Sequence, residues 1–590
     1  MKKLFATSLM CAAALSMAAA SAPQFKWGAL LDGTTTAGDQ ATSLAVSDDG
    51  GIYGLYTAGS TDGHLSVMLD NTALFEGSPY SGTSYNNNFC LIRFASDGSA
   101  VWNIHTDSGD FASNSGSVSA TSDGGCVVMA KVRHTDGYAA TPINFVTPSG
   151  SRTLEWSAEE RYYRLVVLKV SSEGEIEWLV CPEISTAAVN DGCKEFVSEG
   201  FNLYAGCVDA GGNVYVPLNL REPMTFGDVT VKPSNVSSWD GDSQKAAGSF
   251  VVVKLDSEGN CLGSLAFGGE ATATYCHQVV SYGDLLYAVG TAAGSGTLTC
   301  GGIEFTPSEL NSPVVVSFDS DLTPGWVKCL PGEAVGGKYA VQNLGLTVTN
   351  DDVWVYGAFN GKVGDSEGSV ESQQGTLREG LLIHLDAADG SWVKGVSSRE
   401  STFEPAAANT SLTSYMGVIA NPDNAAKIWV YGYGMNAAVG TFIRAYDAET
   451  LEGSAEGSWN LVTAGGVPTC QAIAYDAVKG LCYSTTRGNK AFQPLDADLS
   501  EAPTGWGVYT ASFELPEELR TGVEPVEQSA RRIGIRPVDG GIEVVADTSV
   551  AVYDLTGRCV YRTSQPTASP VTVSLPAGIY VCAGSKIIVR

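Results

Sequence analysis

Short apolar runs alternate with polar turns along almost the whole chain. In NLYAGCVDAGGNVYVPLNL and, after a long polar insert, SFVVVKLDSEGNCLGSLAFGG, four runs rich in β-branched residues flank turns that contain Gly211 and Gly259. Short apolar runs separated by glycine-bearing turns are typical of antiparallel hairpins. The pattern therefore predicts a unit of four antiparallel strands over 202–269.

The same unit recurs along the chain, which indicates a repeat architecture. Its first hairpin turn is found seven times, at Gly50, Gly124, Gly211, Gly283, Asp351, Asn424 and Lys479. Its third strand is also found seven times, as FCLIRFASDG, LVVLKVSSEG, FVVVKLDSEG, VVVSFDSD, LLIHLDAADG, FIRAYDAE and GVYTASFEL. Helical periodicity is confined to the N-terminus, so the sequence predicts an all-β protein.

The fourth strand of the unit usually contains tryptophan. The residues at this place are Trp102, Trp178, Trp326, Trp392 and Trp459, with Leu262 in the third unit. The seventh unit, which ends near Leu515, has no fourth strand, whereas QFKWGALLDG around Trp27 precedes the first unit. A ring in which the N-terminal strand completes the last unit explains both facts and leaves no exposed sheet edge at the ends of the array. We expect a seven-bladed β-propeller over 23–515, closed by the N-terminal strand.

The N-terminus has the features of a secretory signal peptide. Lys2 and Lys3 precede an apolar run, and small residues follow it up to Ala22. Met10, rather than a small residue, precedes Cys11, which argues against a lipoprotein. No second run is long and apolar enough to cross a bilayer. We expect 1–22 to be removed and the chain to be secreted or displayed on the outer cell surface, with no transmembrane segment.

The charge is strongly acidic and unevenly distributed. Without Lys2 and Lys3 the chain has 32 basic and 64 acidic residues, so it repels phosphate backbones and nucleic-acid binding is excluded. Residues 531–590 contain seven Lys or Arg but only four Asp or Glu. This change predicts a separate C-terminal domain over 531–590, after a linker at 516–530.

The cysteines do not indicate a metal site. They form no CxxC pairs and do not lie near histidine at zinc-ligand spacings, so no metal and no cofactor is predicted. Several lie within predicted strands, where cysteine behaves as a small apolar residue. Three pairs are close enough in sequence to form disulfides in an exported protein: Cys181/Cys193, Cys470/Cys482 and Cys559/Cys582.

Strand order predicts two unlike faces. The tight first-to-second and third-to-fourth turns share one end of the sheets, here called the turn face. The long second-to-third loops share the other end, here called the insert face; they span 63–87, 135–162, 221–248, 294–311 and 360–379. Because binding residues tend to lie on loops held by a rigid scaffold, the insert face is the predicted binding face.

Aromatic and acidic residues in these loops form the predicted ligand-binding set. They are Tyr80, Tyr85, Trp156, Glu159, Glu160, Tyr162, Trp239, Asp240 and Asp242. Aromatic rings beside carboxylates suit sugar stacking and hydroxyl hydrogen bonding. The alternative is that these side chains pack the inserts onto the blades.

No catalytic motif is present, so no catalytic residue is assigned. The carboxylate pairs Asp48/Asp49 and Asp351/Asp352 fall in turns, where Asp favours the turn itself. His384 alternates with apolar residues and is predicted to be a packed strand residue. An enzyme acting on polysaccharides, with carboxylates dispersed over the insert face, and a structural component of the cell envelope are the two alternatives to a binding module.

Two resemblances to known families follow from these motifs. The repeat V-x-D-x-G-G-x-Y-V-x-G, an insert, then F-V-V-K-L-D-x-x-G-x-x-x-W resembles the bacterial seven-bladed β-propeller (SBBP) repeat over 23–515. The copy at 212–260 is closest to it, and the turns over 340–460 depart from it where Asp and Asn replace glycine. The resemblance implies an extracellular propeller in which binding or scaffolding is more usual than catalysis, and it implies no catalytic residues. We expect the partner to be a glycan or an extracellular or envelope protein.

The C-terminal segment resembles the sorting domain of type IX secretion in Bacteroidetes. The resemblance depends on YDLTGR, LPAGIYV and the terminal KIIVR, whose motif residues are Asp554, Gly557, Arg558, Gly578, Tyr580 and Lys586. It implies a small β-sandwich recognised by the outer-membrane export machinery. We expect the whole protein to be a monomer.

Overall fold

The computed structural model describes residues 22–33, 40–47, 49–60, 65–70, 72–77, 86–107, 110–133, 142–155, 163–184, 201–203, 205–220, 223–234, 249–269, 273–294, 296–349, 352–373, 378–398, 413–420, 426–434, 440–464, 469–476, 479–489, 491–495, 503, 507–516, 519, 534–538, 541–545, 550–554, 559–563, 571–576, 578–582 and 585–589. Within these ranges the protein is all-β and has no α-helix. The chain divides into two compact units, Met1–Thr521 and Gly522–Arg590. The division lies inside the stretch predicted to be a linker.

The first unit contains 42 described strands. The first half of them are β1 (Gln24–Gly33), β2 (Gln40–Val46), β3 (Ile52–Ser60), β4 (Leu65–Leu69), β5 (Thr72–Gly77), β6 (Asn86–Phe94), β7 (Ala100–Thr106), β8 (Asp110–Ala120), β9 (Cys126–Arg133), β10 (Ile143–Val146), β11 (Ser151–Leu154), β12 (Arg164–Val170), β13 (Ile176–Val180), β14 (Glu183–Ile184), β15 (Phe201–Leu203), β16 (Cys207–Val208), β17 (Val214–Leu220), β18 (Met224–Phe226), β19 (Val229–Val231), β20 (Ser249–Leu255) and β21 (Cys261–Gly268). The second half are β22 (Ala273–Tyr282), β23 (Leu285–Ala293), β24 (Leu298–Cys300), β25 (Ile303–Phe305), β26 (Ser312–Asp319), β27 (Pro324–Cys329), β28 (Gly332–Glu333), β29 (Ala340–Thr349), β30 (Asp352–Asn360), β31 (Lys362–Gly364), β32 (Ser369–Glu371), β33 (Glu379–Asp386), β34 (Trp392–Ser397), β35 (Thr413–Ala420), β36 (Lys427–Gly434), β37 (Gly440–Asp447), β38 (Gly453–Ala464), β39 (Thr469–Asp476), β40 (Leu481–Gly488), β41 (Phe492–Pro494) and β42 (Gly507–Glu514).

Most of these strands form antiparallel sheets with a four-strand core. In the described part of the chain these are sheet 1 (β2-β3-β6-β7), sheet 2 (β8-β9-β12-β13), sheet 3 (β15 and β16 on β17, then β20-β21), sheet 4 (β22-β23-β26-β27), sheet 5 (β29-β30-β33-β34), sheet 6 (β35-β36-β37-β38) and sheet 7 (β39-β40-β42-β1). A succession of four-stranded antiparallel sheets is the arrangement typical of β-propellers.

The tight turns form for local reasons that the sequence contains. In sheet 3 the Asp209 Oδ1 atom accepts hydrogen bonds from the amides of Gly211 and Asn213, each at 2.9 Å. Gly212 has a φ of 82°, which an L side chain rarely adopts. An Asp that binds its own turn, followed by glycine in the left-handed region, brings β16 and β17 into register.

The N-terminal strand β1 occupies the fourth-strand position of sheet 7. It pairs with β42, with Trp27 opposite Ser512 and Phe25 opposite Phe513, so one residue is bulged between the two pairs. The fourth strands of sheets 1 and 2 have the same bulge, with Trp102 opposite Arg93 and Trp178 opposite Lys169. The predicted pairing of the first and last strands is therefore present in the structure.

At four junctions a fourth-strand tryptophan links its sheet to the next one. The indole nitrogens donate to backbone carbonyls of the following third-to-fourth turn: Trp27 to Ser96, Trp102 to Ser172, Trp178 to Ser257 and Trp326 to Ala387, at 2.8–3.0 Å. The same type of hydrogen bond is therefore present at four of the predicted junctions between sheets.

Three fourth-strand residues do not lie where the repeat predicts. Trp459 pairs with Ile443, whereas Ala445, at the equivalent place of the third strand, pairs with Ser454. Gly263, not Leu262, pairs with Lys254, and Leu262 is the bulged residue, 56% exposed. Lys394, not Trp392, pairs with His384. The prediction was wrong at these sites. The bulge itself is not the cause, because the fourth strands of sheets 1, 2, 4 and 7 have it at the same place and keep their tryptophan in register. Sheet 3 has glycine in the tryptophan position, and in sheet 5 the tryptophan lies on the other side of the bulged Val393.

The core of the first unit is divided among the spaces between sheets. Each of seven clusters of buried apolar side chains joins two consecutive sheets, and one of them joins sheet 7 to sheet 1 through Ala474 and Tyr483 on one side and Ile52 and Tyr56 on the other. The Tyr483 hydroxyl also donates to the Gly50 carbonyl across this junction, at 3.1 Å. Apolar side chains are therefore buried between each sheet and the next, and also between sheets 7 and 1.

The second unit contains two antiparallel sheets. Its strands are β43 (Gly534–Val538), β44 (Gly541–Val545), β45 (Val550–Asp554), β46 (Cys559–Thr563), β47 (Val571–Ser574), β48 (Gly578–Cys582) and β49 (Ser585–Val589). The sheet orders are β43-β44-β47 and β46-β45-β48-β49.

Strand register argues against two of the three candidate disulfides. Cys470 lies opposite Thr486, whereas Cys482 lies opposite Tyr475, several residues along the same strand pair. Cys559 and Cys582 lie on strands that flank β45 from opposite sides. A disulfide needs Cα atoms about 4.4–6.8 Å apart, and these positions are separated by more. Cys193, in the third candidate pair, lies outside the described residues.

Candidate functional site

The residues predicted to bind a ligand all lie outside the described residues: Tyr80, Tyr85, Trp156, Glu159, Glu160, Tyr162, Trp239, Asp240 and Asp242. Of the sorting motif, Gly557 and Arg558 lie outside them as well. Asp554 pairs with Tyr580, Gly578 with Val589 and Lys586 with Val581, so the backbone places these four motif residues within one sheet.

The described parts of the inserts are five short hairpins and the single strand β41, and four of these six segments pair with the fourth strand of the preceding sheet. β4 pairs with β1, β10 with β7, β24 with β21 and β41 with β38, in each case near the C-terminal end of a fourth strand. β18 and β31 pair instead with β14 and β28, which follow the fourth strands of sheets 2 and 4. The hairpins therefore cover outer sheet edges that would otherwise be exposed.

Charged groups hold one of these hairpins in place. Lys328, at the end of sheet 4, contacts Asp365 at 2.7 Å and Glu367 at 2.6 Å in the β31–β32 turn. Burial opposes the charged forms, but the Lys328 ammonium lowers the pKa of Asp365, and the two carboxylates raise the pKa of Lys328. Glu367 also accepts the Trp392 amide of sheet 5 at 2.9 Å, so this hairpin is tied to two sheets.

An aromatic stack holds the first hairpin. The ring centroids of Phe75 on β5 and His105 on β7 lie 4.0 Å apart, with 9° between the ring planes. The Nδ1 atom of His105 lies 2.9 Å from Asn103 Oδ1. Burial lowers the pKa of His105 to about 4, so the imidazole is neutral at pH 7.

The first strands of the sheets contain a repeated irregularity near the insert face. The ladder register shifts between Ala41 and Ser43, Phe111 and Gly116, Cys276 and Gln278, Gln342 and Gly345, Tyr415 and Gly417, and Cys470 and Ala472. A bulge releases a residue from the ladder and redirects its side chain. His277 and Asn343 are both released in this way. Neither belongs to the predicted site, because one extra residue cannot be recognised in the apolar and polar alternation of a short strand.

His277 and Gln278 are held by the sheets on both sides. The His277 carbonyl accepts the Ala205 amide of sheet 3 at 3.4 Å, and the Val279 amide donates to the Ala205 carbonyl at 2.9 Å. The Gln278 Oε1 atom accepts the Leu346 amide of sheet 5 at 2.9 Å. Burial lowers the pKa of His277 to about 4.

Of the four carboxylates predicted to favour turns, Asp49 bonds its own turn, whereas Asp352 lies in β30 and contacts His384. The Asp49 Oδ1 atom accepts Ser47 Oγ at 2.6 Å and the Gly51 amide at 3.0 Å. His384 lies in β33, where its ring stacks on Trp354 at 4.1 Å and its Nε2 atom lies 2.5 Å from Asp352 Oδ1. Asp48 and Asp351 lie outside the described residues.

Within the described ranges, no group of three or more His, Cys, Asp or Glu side chains could hold a metal ion. No helix within them is long and apolar enough to cross a membrane.

Comparisons with known proteins identify no family. No family model and no curated protein matches the chain. It is similar to a quinohemoprotein alcohol dehydrogenase from Pseudomonas putida HK5, with 8% identity, a TM-score of 0.34 and coverage of 87% of this chain and 78% of that one.

Two other solved structures are comparably distant. A protein of unknown function from Dyadobacter fermentans has 9% identity, a TM-score of 0.35 and coverage of 83% of this chain and 98% of its own. A europium-containing methanol dehydrogenase has 10% identity, a TM-score of 0.30 and coverage of 84% and 93%. TM-scores this low carry no argument about function, so the proposals below depend on the residues of this chain.

Proposed function

We propose that the first unit is a closed seven-bladed β-propeller that is exported and acts as a binding module at the cell surface. Closure is supported by the pairing of β1 with β42 and by the Trp27 hydrogen bond to the Ser96 carbonyl. The buried cluster that joins sheet 7 to sheet 1 supports it independently.

The insert face is the binding face of this proposal, and a glycan or an extracellular protein is the partner. The observation that carries it is that every described insert segment pairs either with the fourth strand of the preceding sheet (β1, β7, β21 or β38) or with a short strand that follows that fourth strand (β14 or β28). Anchored hairpins hold the ends of the loops that contain Trp156 and Trp239, and a rigid support lowers the entropy cost of binding.

In this proposal the second unit directs the protein to the cell surface. The YDLTGR and LPAGIYV motifs and the terminal KIIVR support recognition by type IX secretion machinery. Together with the signal-peptide features of 1–22, they give a route to the outer surface.

A glycan-array screen of the mature chain, followed by an assay for reducing-end release on every hit, tests the binding function. We expect binding without release, and we expect Trp156→Ala or Trp239→Ala to weaken it. Release of reducing ends would contradict a pure binding module. Absence of any glycan hit would leave a protein partner, to be captured by crosslinking on intact cells.

Deletion of residues 531–590 tests delivery. We expect the truncated chain to remain folded and to be absent from the cell surface, as measured by surface proteolysis and by antibody labelling of intact cells. Normal surface labelling would show that the second unit has no sorting role.

A further inference from the structure

Exposed apolar side chains of the first unit are concentrated at one end of two consecutive sheets. Among its described residues, six large apolar side chains are exposed: Val101, Val229, Leu262, Tyr282, Leu285 and Val393. Three of the six lie at the turn face of sheets 3 and 4, where Leu262 is 56% exposed, Leu285 40% and Tyr282 38%. A single exposed apolar residue is ordinary, whereas a group of them marks an interaction site.

The turn at 319–323 of sheet 4 connects these residues. The Cδ1 atom of Leu322 in this turn lies 3.8 Å from the point where a Cβ on Gly263 would stand, and Gly263 directly follows Leu262. Leu285 pairs with Asp319, the first residue of the same turn. Cα atoms of such antiparallel partners lie about 4.5–5.5 Å apart. Leu262 and Leu285 therefore flank one turn from two sides.

The group extends across the end of sheet 4. Leu322 packs on the buried cluster between sheets 3 and 4, whereas Tyr287 belongs to the cluster between sheets 4 and 5. Leu285 shares the face of Tyr287, two residues along β23, and Tyr282 pairs with Leu285. A partner that lies across this end therefore contacts apolar side chains on both sides of sheet 4. We call Leu262, Leu322, Leu285 and Tyr282 the turn-face strip.

Leu322 stands where glycine would be less costly. Its φ of 64° lies in the left-handed region, which costs a residue with a branched side chain about 1–2 kcal/mol. Leu451, at the same position of the corresponding turn in sheet 6, has a φ of 54° but is 2% exposed, so burial offsets its strain. Leu322 is only partly buried and recovers less. The leucine therefore retains apolar surface at the strip at some cost in stability.

Acidic residues border the strip. The three turns beside it, at 256–260, 283–284 and 319–323, have no Lys or Arg and contain Asp256, Glu258, Asp284, Asp319 and Asp321. Asp284 and Asp321 are exposed. Lys254 of β20 donates to the Ser320 carbonyl at 2.7 Å, so one cation accompanies five carboxylates. The potential around the strip is therefore negative.

We propose that the turn-face strip is a docking site for a basic polypeptide, which places apolar side chains on the strip and Lys or Arg against its acidic border. An apolar centre with a charged rim is the usual composition of a protein–protein interface, and opposite charges at the rim select the partner. This surface lies on the turn face, so the inference does not depend on the binding function proposed for the insert face.

Two other occupants fit the charge less well. A lipid surface with anionic headgroups would repel the Asp and Glu side chains around the strip. A second copy that docked through a two-fold axis would place the same carboxylates against each other. A basic polypeptide encounters neither repulsion.

Photocrosslinking in cells that produce the full-length protein tests this inference. Benzoylphenylalanine replaces Leu262 in one variant and Val101 in the matched control, since Val101 is the bulged residue at the same place in sheet 1 and is 53% exposed. We expect at least fivefold more adduct with a second polypeptide from position 262 than from position 101. The crosslinked segment, identified by mass spectrometry, should contain more Lys and Arg than Asp and Glu.

A charge reversal added to the variant with the crosslinker at position 262 tests the acidic border. We expect Asp321→Lys to lower the adduct yield at least fivefold, because it places a cation beside the strip. Asp228→Lys is its control, since Asp228 is also exposed but lies in the β18–β19 turn. This substitution changes the net charge by the same amount and should leave the yield within twofold.

Four outcomes would overturn the inference. Equal adduct yields from positions 262 and 101 would show that the strip has no partner of its own. An adduct with lipid or with a second copy of this chain would assign the strip to that occupant. A crosslinked segment without excess basic residues, or equal effects of Asp321→Lys and Asp228→Lys, would remove the basic partner class. Glycan binding by the insert face is unaffected by any of these results.

Discussion

Leu322 faces Gly263 across the junction between sheets 3 and 4, with its Cδ1 atom 3.8 Å from the point where a Cβ on Gly263 would stand. At four other junctions a tryptophan packs on a turn glycine: Trp27 on Gly98, Trp102 on Gly174, Trp178 on Gly259 and Trp326 on Gly390. Leu322 occupies the turn position of those glycines, and Gly263 occupies the strand position of the tryptophans. The large and small residues have exchanged places, because close packing requires that one of each fill the junction.

This exchange predicts a favourable coupling between the two positions. Gly263→Trp alone should be destabilising, because the indole would meet Leu322. The double variant Gly263→Trp/Leu322→Gly restores the pair found elsewhere, and we expect a favourable coupling energy of about 1–2 kcal/mol in a double-mutant cycle. Urea unfolding of the four proteins measures it. Additive effects of the two substitutions would show that the sites do not share a junction.

Gly174 should tolerate no side chain. A Cβ there would lie 2.8 Å from Trp102 Cδ2, and the φ of 88° is unfavourable in itself. Left-handed strain and overpacking together predict that Gly174→Ala lowers the free energy of unfolding by about 2–4 kcal/mol. Urea denaturation followed by tryptophan fluorescence measures the loss.

Substitutions of two glycines in the insert hairpins distinguish the cost of backbone strain from the cost of overpacking. Gly227 has a φ of 55° but open space around it, so Gly227→Ala should cost only the backbone strain, about 1–2 kcal/mol. At Gly150 the space is open and the φ lies outside the left-handed region, so Gly150→Ala should change stability by less than about 0.5 kcal/mol. Equal losses in Gly174→Ala and Gly227→Ala would mean that contact with Trp102 contributes nothing.

Local patterns predict the hairpins better than they predict the junctions. The turn at Asp209 and Gly212 follows from residues adjacent in sequence, and the role of Trp27 follows from the missing fourth strand. Leu262, Trp392 and Trp459 were misplaced. The bulges at His277 and Asn343 were not predicted, since one extra residue alters register without altering composition. The pairing of β10 with β7 adds an insert hairpin to the edge of the preceding sheet, and no local sequence feature specifies it.

The N-terminal strand should be necessary for the stability of the first unit. Deletion of Gln24–Gly33 removes the partner of β42 and exposes its edge, together with buried Ala29 and Leu31. We expect the apparent Tm to fall by on the order of 10 °C, measured by differential scanning calorimetry. The matched control is Lys26→Ala, which removes only the exposed ion pair with Glu514 and should cost less than about 1 kcal/mol. An unchanged Tm in the deletion variant would contradict closure by β1.

His105 should make stability depend on pH. Its pKa is lowered to about 4 by burial against Phe75, and the unfolded value is about 6.5. The unfolded chain therefore binds the proton more readily, so stability should be highest above about pH 6.5, fall as the pH decreases towards 4, and change no further through this group below that. We expect a loss of about 1–3 kcal/mol across this window, reduced from the full linkage value because the side chain is only half-buried.

Comparison with His105→Phe isolates this contribution from that of His277, whose lowered pKa acts in the same direction. Phenylalanine keeps a ring against Phe75 but cannot take up a proton, so the stability of the variant should fall less steeply between pH 6.5 and 4. The two proteins should differ by a constant amount above pH 7 and converge, or reverse order, as the pH falls to 4. Urea unfolding at each pH measures the free energy of unfolding of both proteins. Parallel curves over the whole pH range would show that His105 is protonated as easily in the folded chain as in the unfolded one. The stack with Phe75 would then not exclude the charged imidazole.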